Sequence, residues 1–508
     1  MEDLSQVMRH RREKLAALRD RGIEPFAYNF DSSSSSVDAA YSFEAAESDG
    51  ALDDDGHGAR VRIGGRLVGW RDMGRSIFAH VEDGAGRIQL YFKENLIGEE
   101  SFETLSLLDT SDWIGVEGPT FRTRSGEVTI QVESWTLLAK SLRPLPFGKV
   151  ETEPETGERI VHSGFQDQEA RYRQRYADLA VHPEVREVFR TRARIVTALR
   201  RFLDGEGFLE VETPVLQPLY GGASAKPFVT KHHALDQTMY LRIADELYLK
   251  RLIVGGLDRV YEISKDFRNE GLSRLHNPEF TMLEWYQAFS DYEDQMRLVE
   301  RMVLYVLDEV VGSRTINFAD HDITFEAPFR RLGLVAGLSS ALGRDVHDMS
   351  DAELRRQAEE LKAPDLDGAG RGKLIDKLFG ELVEPELIQP TFVVDHPKEL
   401  SPLAKPHRSD PRLTERFELY IGGSEIFNAF SELNDPIDQR GRFEAQAVLR
   451  AAGDDEAQQI DDDYIRALEY GMPPTGGVGM GVDRFVMMLT GEPSIRDVIL
   501  FPILRSEE

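Results

Sequence analysis

One segment, residues 267–286, limits the possible folds of this chain more than any other. Arg268 and Glu270 stand two apart in its first half, and the alternate positions of its second half are Phe280, Met282, Glu284 and Tyr286. Alternate residues of a β-strand point to the same side, so each half predicts a strand with one functional face. Gly271 and the run 276–278 (His-Asn-Pro) interrupt the pattern, which predicts two antiparallel strands joined by a loop.

These residue types suit a nucleotide triphosphate. The planar arginine fork can bind phosphate oxygens, an aromatic ring can stack on the base, and a carboxylate can accept a hydrogen bond from a base amino group. The alternative is a sheet surface on which Arg268 and Glu270 only form an ion pair. The spacing alone leaves both interpretations open.

The bulk properties bound the class of protein. At 508 residues, 41% of them hydrophobic, the chain is long enough for two or three globular domains. It has no run of roughly 18 to 20 apolar residues and no signal-peptide pattern at its start, so we expect a cytoplasmic location and no membrane partner. The absence of cysteine excludes disulfides and thiolate chemistry. A metal would therefore have oxygen or imidazole ligands, and Mg²⁺ is the natural candidate.

The net charge of -29 disfavours nucleic-acid binding over the whole surface, because a phosphate backbone repels an acidic protein. Any RNA contact must then use local basic faces. Residues 2–21 predict a basic amphipathic helix, which either packs on the body of the protein or contacts RNA. Residues 32–58, rich in serine and then in acids and glycine, predict a flexible linker.

Residues 60–142 consist of short alternating segments. Five or so strands separated by Asp-Gly and Ser-Gly turns predict a small barrel. An oligonucleotide-binding (OB) fold has that strand count and stacks bases on exposed aromatic rings. After a polar linker, the apolar positions from Val185 to Phe202 predict a long amphipathic helix that ends near Gly205 or Gly207.

Three motifs together resemble those of class II aminoacyl-tRNA synthetases. The second motif is matched by F-R-N-E-G (267–271), H-N-P-E-F (276–280) and the following E-x-Y; the first by residues 207–214 and the third by G-M-G-V-D-R (479–484). The resemblance implies an α+β multidomain protein whose catalytic domain is an antiparallel sheet flanked by helices. The implied divisions are a basic helix with an acidic linker (1–58), an OB-fold anticodon-binding domain (59–143), a linker (144–165) and the catalytic domain (166–508).

A barrel ahead of the catalytic domain resembles the subgroup that charges aspartate, asparagine and lysine. Residues 166–176, 221–228 and 425–435 resemble lysyl-tRNA synthetases in particular. The resemblance implies that ATP activates L-lysine to lysyl-adenylate, that pyrophosphate leaves, and that lysine then moves to the 3′-terminal ribose of tRNA(Lys). An acidic pocket agrees with this, because a buried lysine ammonium needs a carboxylate partner, whereas an aspartate site would need a cation.

The resemblance also implies a lysine-binding set: Gly222, Glu246, Glu284, Tyr286, Asn428 and Glu432. In it, Glu432 and Tyr286 hold the ε-ammonium, while Glu246 and Asn428 hold the α-amino and α-carboxyl ends. On one strand Asn428, Phe430 and Glu432 would share a face, which agrees with a common pocket.

For ATP, the resemblance implies that Arg268 binds the α-phosphate and Arg484 the γ-phosphate, and these two are the candidate catalytic residues. Arg484 opens a predicted helix, whose N-terminus also favours anions. Phe280 would stack on adenine, and Glu270 would accept a hydrogen bond from its amino group. His276 would lie near the terminal phosphates, with a plain surface position as its alternative.

Glu418 and Glu425 match ligands of the Mg²⁺ ions that accompany ATP in the family. Their spacing of seven would put them on opposite faces of one straight strand. The Gly422-Gly423 pair must therefore fold the segment into a hairpin if both are to reach one site.

In the barrel, the resemblance implies an anticodon-binding set of Arg71, Phe78, Gln89 and Glu133. Phe78 would stack on the central uridine and Gln89 would read its edge, as single-stranded RNA is usually read. A buried structural position is the alternative for Phe78. The resemblance also implies that the long helix and the strand after it form a homodimer interface, with packing inside one subunit as the alternative.

Other functions stay open. An aspartyl or asparaginyl enzyme is the nearest, followed by a synthetase-like protein that binds RNA without charging it. A lysine ligase that acts on a protein is a third, although such relatives lack the barrel. The presence of Arg268, Glu270 and Arg484 argues against an inactive scaffold.

Overall fold

The computed structural model describes residues 5–152, 159–162, 164–364, 366, 368–451 and 459–506. The chain divides into two compact units. One comprises residues up to 171 together with 176–181, and the other comprises 172–175 and 182–508. Within the described residues, no helix is long and apolar enough to cross a membrane.

The first unit is built on a closed barrel. Its strands are β1 (His57–Asp72), β2 (Ser76–Glu82), β3 (Arg87–Lys93), β4 (Trp113–Arg122), β5 (Val128–Gln131) and β6 (Ser134–Ala139). They pair in the order β1-β2-β3-β5-β4-β6, and pairing of β1 with β4 closes the ring. Apolar residues on alternate positions of β1 and β2 fill the interior. The predicted barrel is confirmed, with β6 as a strand that the sequence analysis missed.

The N-terminal helix α1 (Gln6–Asp20) packs on this unit. Met8 and Leu18 are buried, and the Arg11 guanidinium donates to the carbonyl oxygens of Ser141 and Thr110 at 3.0 and 2.9 Å. The prediction that this helix packs on the body of the protein is therefore correct for its apolar face and for Arg11. The arginines at positions 9, 12 and 19 stay exposed.

The predicted flexible linker contains a helix, and this corrects the sequence analysis. Helix α2 (Ser36–Ser48) starts at Ser35, whose side chain accepts from the backbone N–H of Asp38. Ala39 and Phe43, four positions apart, are each 1% exposed, because this spacing puts them on one helix face against the barrel. Two apolar residues among many acids are enough to anchor the helix but too few for the pattern to be read from sequence.

The remaining elements of this part of the chain are short. They are α3 (Glu94–Ile97), α4 (Glu99–Thr104), β7 (Lys149–Thr152), β8 (Arg159–His162), α5 (Gln168–Arg173) and α6 (Arg175–Val181). β7 and β8 form an antiparallel pair inside the predicted linker 144–165. Residues 153–158 and 163 of that linker lie outside the described residues.

The second unit contains an eight-stranded sheet and a smaller three-stranded sheet. Its strands are β9 (Leu209–Glu210), β10 (Leu216–Gln217), β11 (Val229–His232), β12 (Gln237–Leu241), β13 (Arg259–Phe267), β14 (Glu279–Ala288), β15 (Thr315–Phe318), β16 (His321–Thr324), β17 (Arg330–Gly333), β18 (Thr391–Pro397), β19 (Leu413–Ile421), β20 (Ser424–Ser431) and β21 (Thr475–Gly481). The large sheet has the order β17-β18-β19-β20-β21-β14-β13-β9 and is antiparallel except at its two edges.

The helices of the second unit are α7 (Pro183–Gly205), α8 (Glu246–Val254), α9 (Tyr292–Val306), α10 (Leu334–Leu342), α11 (Asp351–Glu360), α12 (Arg371–Leu382), α13 (Pro436–Ala451), α14 (Asp462–Glu469), α15 (Val482–Thr490) and α16 (Ile495–Val498). The main core lies between the large sheet and α7, α9 and α15. The predicted antiparallel sheet flanked by helices is confirmed, and the predicted long helix is α7.

Two hairpins of the large sheet position the candidate site. β13 and β14 pair antiparallel along their whole length, as predicted. Arg268 and Glu270, however, lie after the end of β13 rather than on it. The backbone N–H of Arg268 still donates to the Pro278 carbonyl, and the chain then leaves the sheet so that both side chains follow the loop rather than strand alternation.

β19 and β20 form the second predicted hairpin, with Gly422 and Gly423 both at positive φ in the turn. Tyr420 pairs with Glu425 and Leu419 with Phe427, so Ile426 is an extra residue on β20. This bulge changes the alternation by one position. Glu418, Glu425 and Asn428 therefore line one cavity although their spacing is odd.

Candidate active site

A cavity of about 650 Å³ lies in the second unit, at the strands β14, β19, β20 and β21. Its wall contains all the predicted ATP residues, both predicted metal ligands and five of the six predicted lysine-binding residues. The exception is Glu432. Side chains from both hairpins, from the start of α8 and from the start of α15 therefore meet in one space.

Arginines mark one end of the cavity. The Arg268 guanidinium lies over the Phe280 ring, with Cζ 5.1 Å from the ring centroid, and its Nε donates to the Ile243 carbonyl at 3.3 Å. Arg484, in the first turn of α15, donates to the Glu425 carbonyl at 3.0 Å and contacts Nε2 of His276 at 2.9 Å. Partial desolvation and the two arginines lower the pKa of His276. The two guanidinium groups at this end of the cavity can bind an anion.

Acids lie next to these arginines. Glu418 and Glu425 line the cavity together with Asp376 and Glu384, which the sequence analysis missed. Burial, and then the charges of its acidic neighbours, raise the pKa of Glu384 to about 7. Burial and then Glu418 raise the pKa of Glu425. Carboxylates that resist ionisation in this way favour a nearby cation.

Arg416 is a further residue that the sequence analysis missed. It lies on β19 at the cavity wall, where its guanidinium donates to Glu418 at 2.6 Å and to the side-chain oxygen of Asn428 at 3.1 Å. Its signal in the sequence was the alternation Arg416, Glu418, Tyr420 on a strand ending at two glycines. That pattern is too common to identify a site.

Buried carboxylates lie farther along β14. Glu284 lines the cavity; Asp245 and Asp266 lie outside its lining, each with an oxygen within 4.8 Å of Glu284 and of the other, and both pair with Arg242. The Tyr286 hydroxyl donates to Glu284 at 3.0 Å. Burial and then the neighbouring acids, first Asp245 and Asp266, raise the pKa of Glu284 well above its ordinary range.

Gly222 and Glu246 close this end of the cavity. Gly222 has φ +90°, and a Cβ there would come within 3.2 Å of the Glu246 Cβ. Glu246 is buried at the start of α8. Asn428 and Phe430, two apart on β20, point into the same space, as predicted.

Glu432 is not among the residues that line the cavity, but its carboxylate lies over Gly477, on the same face of the sheet as Tyr286 and Phe430. It follows the end of β20, its N–H donates to the Thr475 carbonyl at 2.8 Å, and its side chain pairs with the ammonium of Lys250. A Cβ on Gly477 would overlap both a Glu432 carboxylate oxygen and the Tyr286 ring. The absence of a side chain at position 477 is what lets these two groups approach.

The barrel of the first unit carries a row of half-buried rings. Phe78 on β2 stacks on Tyr91 of β3, with centroids 4.8 Å apart, and the row continues to Phe121 and His57. Phe78 is therefore only partly buried, and one side of its ring is already in contact with Tyr91. Gln89 is buried and donates to Glu127 at 2.7 Å.

The other two predicted anticodon residues lie near this row. Arg71 is exposed on β1, where it is the cross-strand partner of Phe78. Glu133 forms an ion pair with Arg60. Tyr91 and Phe121 were missed, because nothing in their local pattern separates a surface ring from a core ring.

Comparison with known proteins agrees with both units. A model described as class II tRNA synthetases (D, K and N) matches residues 167–505, and one described as an OB-fold nucleic acid binding domain matches residues 61–138. The sheet and the cavity are thus those of a class II tRNA synthetase.

Relatives that match over the full length of the chain identify the family more specifically. A lysine–tRNA ligase of Pelotomaculum thermopropionicum is 51% identical, with 100% of this chain and 96% of the relative covered. Those of Carboxydothermus hydrogenoformans and Staphylococcus aureus are each 47% identical, with 100% of this chain and 99% and 100% of the relatives covered. The chain belongs to the lysine–tRNA ligase family.

Proposed function

We propose that the cavity of the second unit is where L-lysine and ATP react in this lysine–tRNA ligase, and that the lysine is then passed to the 3′-terminal ribose of tRNA(Lys). One observation carries this proposal: a single cavity follows β14, with Arg268 over Phe280 near the start of this strand and the buried side chains of Glu284 and Tyr286 farther along it. ATP is an anion and the lysine side chain is a cation. The two ends therefore match the two substrates in charge.

At the arginine end, Arg268 binds the α-phosphate and Arg484 the γ-phosphate, with adenine on the Phe280 ring. Glu270 accepts from the adenine amino group, and His276 lies beside Arg484 near the terminal phosphates. The lysine carboxylate attacks the α-phosphorus in line and pyrophosphate leaves. Positioning and charge neutralisation are sufficient for this step, and no enzyme nucleophile is required.

Mg²⁺ is the proposed metal, with Glu418 and Glu425 as its ligands. The donor set fits, because four carboxylates meet beside the phosphate-binding arginines and burial raises the pKa of three of them, Asp376, Glu384 and Glu425. Oxygen ligands are those that this hard cation prefers. When bound, it would neutralise charge on the phosphate oxygens.

At the acidic end, Glu432 and Tyr286 receive the ε-ammonium, with Glu284 beside them. Glu246, Gly222 and Asn428 hold the α-amino and α-carboxyl groups. The deepest carboxylates would be costly to leave unpaired, so a second ammonium on the substrate is what this pocket selects.

Amino-acid-dependent exchange between pyrophosphate and ATP tests the proposal. The purified protein should catalyse exchange with lysine and not with aspartate or asparagine. Exchange driven by either of the latter would redirect the assignment to another member of the subgroup. Binding of RNA without any exchange would indicate a synthetase-like protein that binds RNA without charging it.

Lysine binding should release protons near pH 7. Burial and the neighbouring acids raise the pKa of Glu284 well above its ordinary range, so the empty site holds a proton that the lysine ammonium displaces. Calorimetric titrations of lysine at pH 7 in two buffers of different ionisation heat should differ by up to about one proton per site. The difference should shrink as the pH rises and Glu284 ionises in the empty site. Equal heats in both buffers at pH 7 would contradict the prediction.

The first unit is proposed to bind the anticodon through Arg71, Phe78, Gln89 and Glu133. Replacing Phe78 with alanine should raise the KM for tRNA(Lys) roughly 5- to 150-fold, since stacking on one base contributes about 1–3 kcal/mol. Lysine-dependent pyrophosphate exchange should stay within about twofold of wild type, because that step needs no tRNA.

Tyr28 provides the matched control for this variant. It is an aromatic residue of the same unit, 99% exposed, and Y28A should leave the KM for tRNA unchanged. A wild-type KM for tRNA in F78A would remove Phe78 from the proposed interface.

We also propose a homodimer in the cytoplasm, with the divisions 1–58, 59–143, 144–165 and 166–508. Exposed apolar side chains at Leu209, Val215 and Leu216, which follow α7, support an interface there. Light scattering after size-exclusion chromatography distinguishes the dimer from a monomer of 57.5 kDa.

A further inference from the structure

An internal lysine lies beside the proposed lysine pocket. Lys250 is in α8, one turn after Glu246, and its side chain is 0% exposed. Its Nζ lies 2.5 Å from Oε1 of Glu246 and also pairs with a Glu432 oxygen. The rings of Tyr286 and Phe430 stand 5.9 and 5.8 Å from the same atom. One ammonium of the protein thus joins two carboxylates proposed for the substrate.

Lys250 stays protonated. Burial opposes it, but the neighbouring carboxylates of Glu246 and Glu432 outweigh that effect and raise the pKa of Lys250. Tyr286 and Tyr464 face these two carboxylates as well, and Arg416 and Glu284 lie near Glu246. Lys250 is therefore a fixed cation at physiological pH.

The orientation of Glu432 depends on this cation. Apart from the ion pair with Lys250, neither carboxylate oxygen of Glu432 has a hydrogen-bond partner in the part of the chain that the structure describes. A long side chain with a single partner takes its direction from that partner. Glu246 is connected to the same ammonium, so the two carboxylates cannot move independently.

We propose that Lys250 is a positioning residue for lysine recognition, which ties Glu246 to Glu432 and aims both carboxylates at the ammonium groups of the substrate. The inference rests on the proposed lysine pocket. Lys250 itself does not touch the substrate.

The test is lysine-dependent pyrophosphate exchange with full-length K250M, which keeps the chain length of the side chain and removes its charge. We expect the KM for lysine to rise at least about tenfold, because lysine binding contacts are misaligned. The KM for ATP should stay within about twofold. A purely structural role would lower the melting temperature without separating the two KM values.

Lys140 supplies the matched control. It is another lysine of 0% exposure held by two carboxylates, those of Asp109 and Asp112, but it lies in the first unit. K140M should lower the melting temperature and leave the KM for lysine unchanged. The control thus separates the loss of a buried ion pair from the loss of a positioning group.

A second variant, K250Q, can still donate a hydrogen bond to Glu432 and should show a smaller rise in the KM for lysine than K250M. A wild-type KM for lysine in either folded variant overturns the proposal. Glu284→Gln tests the pocket separately. An unchanged KM for lysine in that variant would contradict the assignment of the lysine pocket, independently of the role of Lys250.

Discussion

Replacing Glu432 with glutamine should lower kcat/KM for lysine roughly 30- to 1,000-fold. The change removes the charge of a fully buried carboxylate, and losing one member of a buried charged contact costs about 2–4 kcal/mol. The carboxylate lies over Gly477 and next to the Tyr286 ring, so its loss should affect the proposed ammonium site directly. Lys250 keeps Glu246 as a partner, and the fold should therefore persist.

Steady-state pyrophosphate exchange at varied lysine and varied ATP measures this effect. The KM for ATP should stay within about twofold of wild type, because the phosphate-binding arginines are at the other end of the cavity. Glu415 is the matched control: it is a buried glutamate of the same sheet, paired with Arg408, and does not line the cavity. E415Q should retain the wild-type KM for lysine. Unchanged lysine dependence in E432Q would refute the assigned role.

Replacing Arg268 with alanine should lower kcat for pyrophosphate exchange about 100- to 1,000-fold or more. Removal of one donor that faces developing charge typically has this cost, and arginine also supplies a full positive charge. The variant would lose the guanidinium over the Phe280 ring as well, so adenine stacking should weaken with it. Both effects fall on ATP rather than on lysine.

The measurement is exchange at saturating lysine, together with lysine protection against thermal unfolding. Protection by lysine should persist in R268A, which separates lost catalysis from lost folding. Arg274 offers the control, because it lies in the same loop, is exposed and only donates to the Pro493 carbonyl at 3.4 Å. R274A should keep kcat within about threefold. Wild-type exchange in R268A would contradict the placement of the α-phosphate.

The local patterns that the sequence predicted correctly are those set by neighbours in the chain. Alternation over 279–288 gave β14, and helical spacing after Pro183 gave α7. The Gly422-Gly423 turn was required by the odd spacing of two acids, and the structure has it. These features depend on periodicity and on turn residues, which a sequence states directly.

Failures occurred where a distant contact overrides a weak local pattern. α2 exists because Ala39 and Phe43 find the barrel surface, although the surrounding residues are acidic and small. β13 ends at Phe267, so Arg268 and Glu270 lie beyond the strand and its alternation does not describe them. The bulge at Ile426 could not be predicted, since one extra residue in a strand has no separate signal.

The sequence by itself therefore predicted the barrel, the antiparallel catalytic sheet, the family and a set of ATP, lysine and metal residues of which all but Glu432 line the cavity, because motifs and periodicity are local. The tertiary structure alone decided that Lys250 occupies the space between Glu246 and Glu432, and that the Glu432 carboxylate lies over Gly477. Lys250 and Glu432 belong to a helix and to a strand end far apart in the chain. Only the packing of α8 against β13 and β14 brings their charges together at a position with 0% exposure, where each would be costly alone.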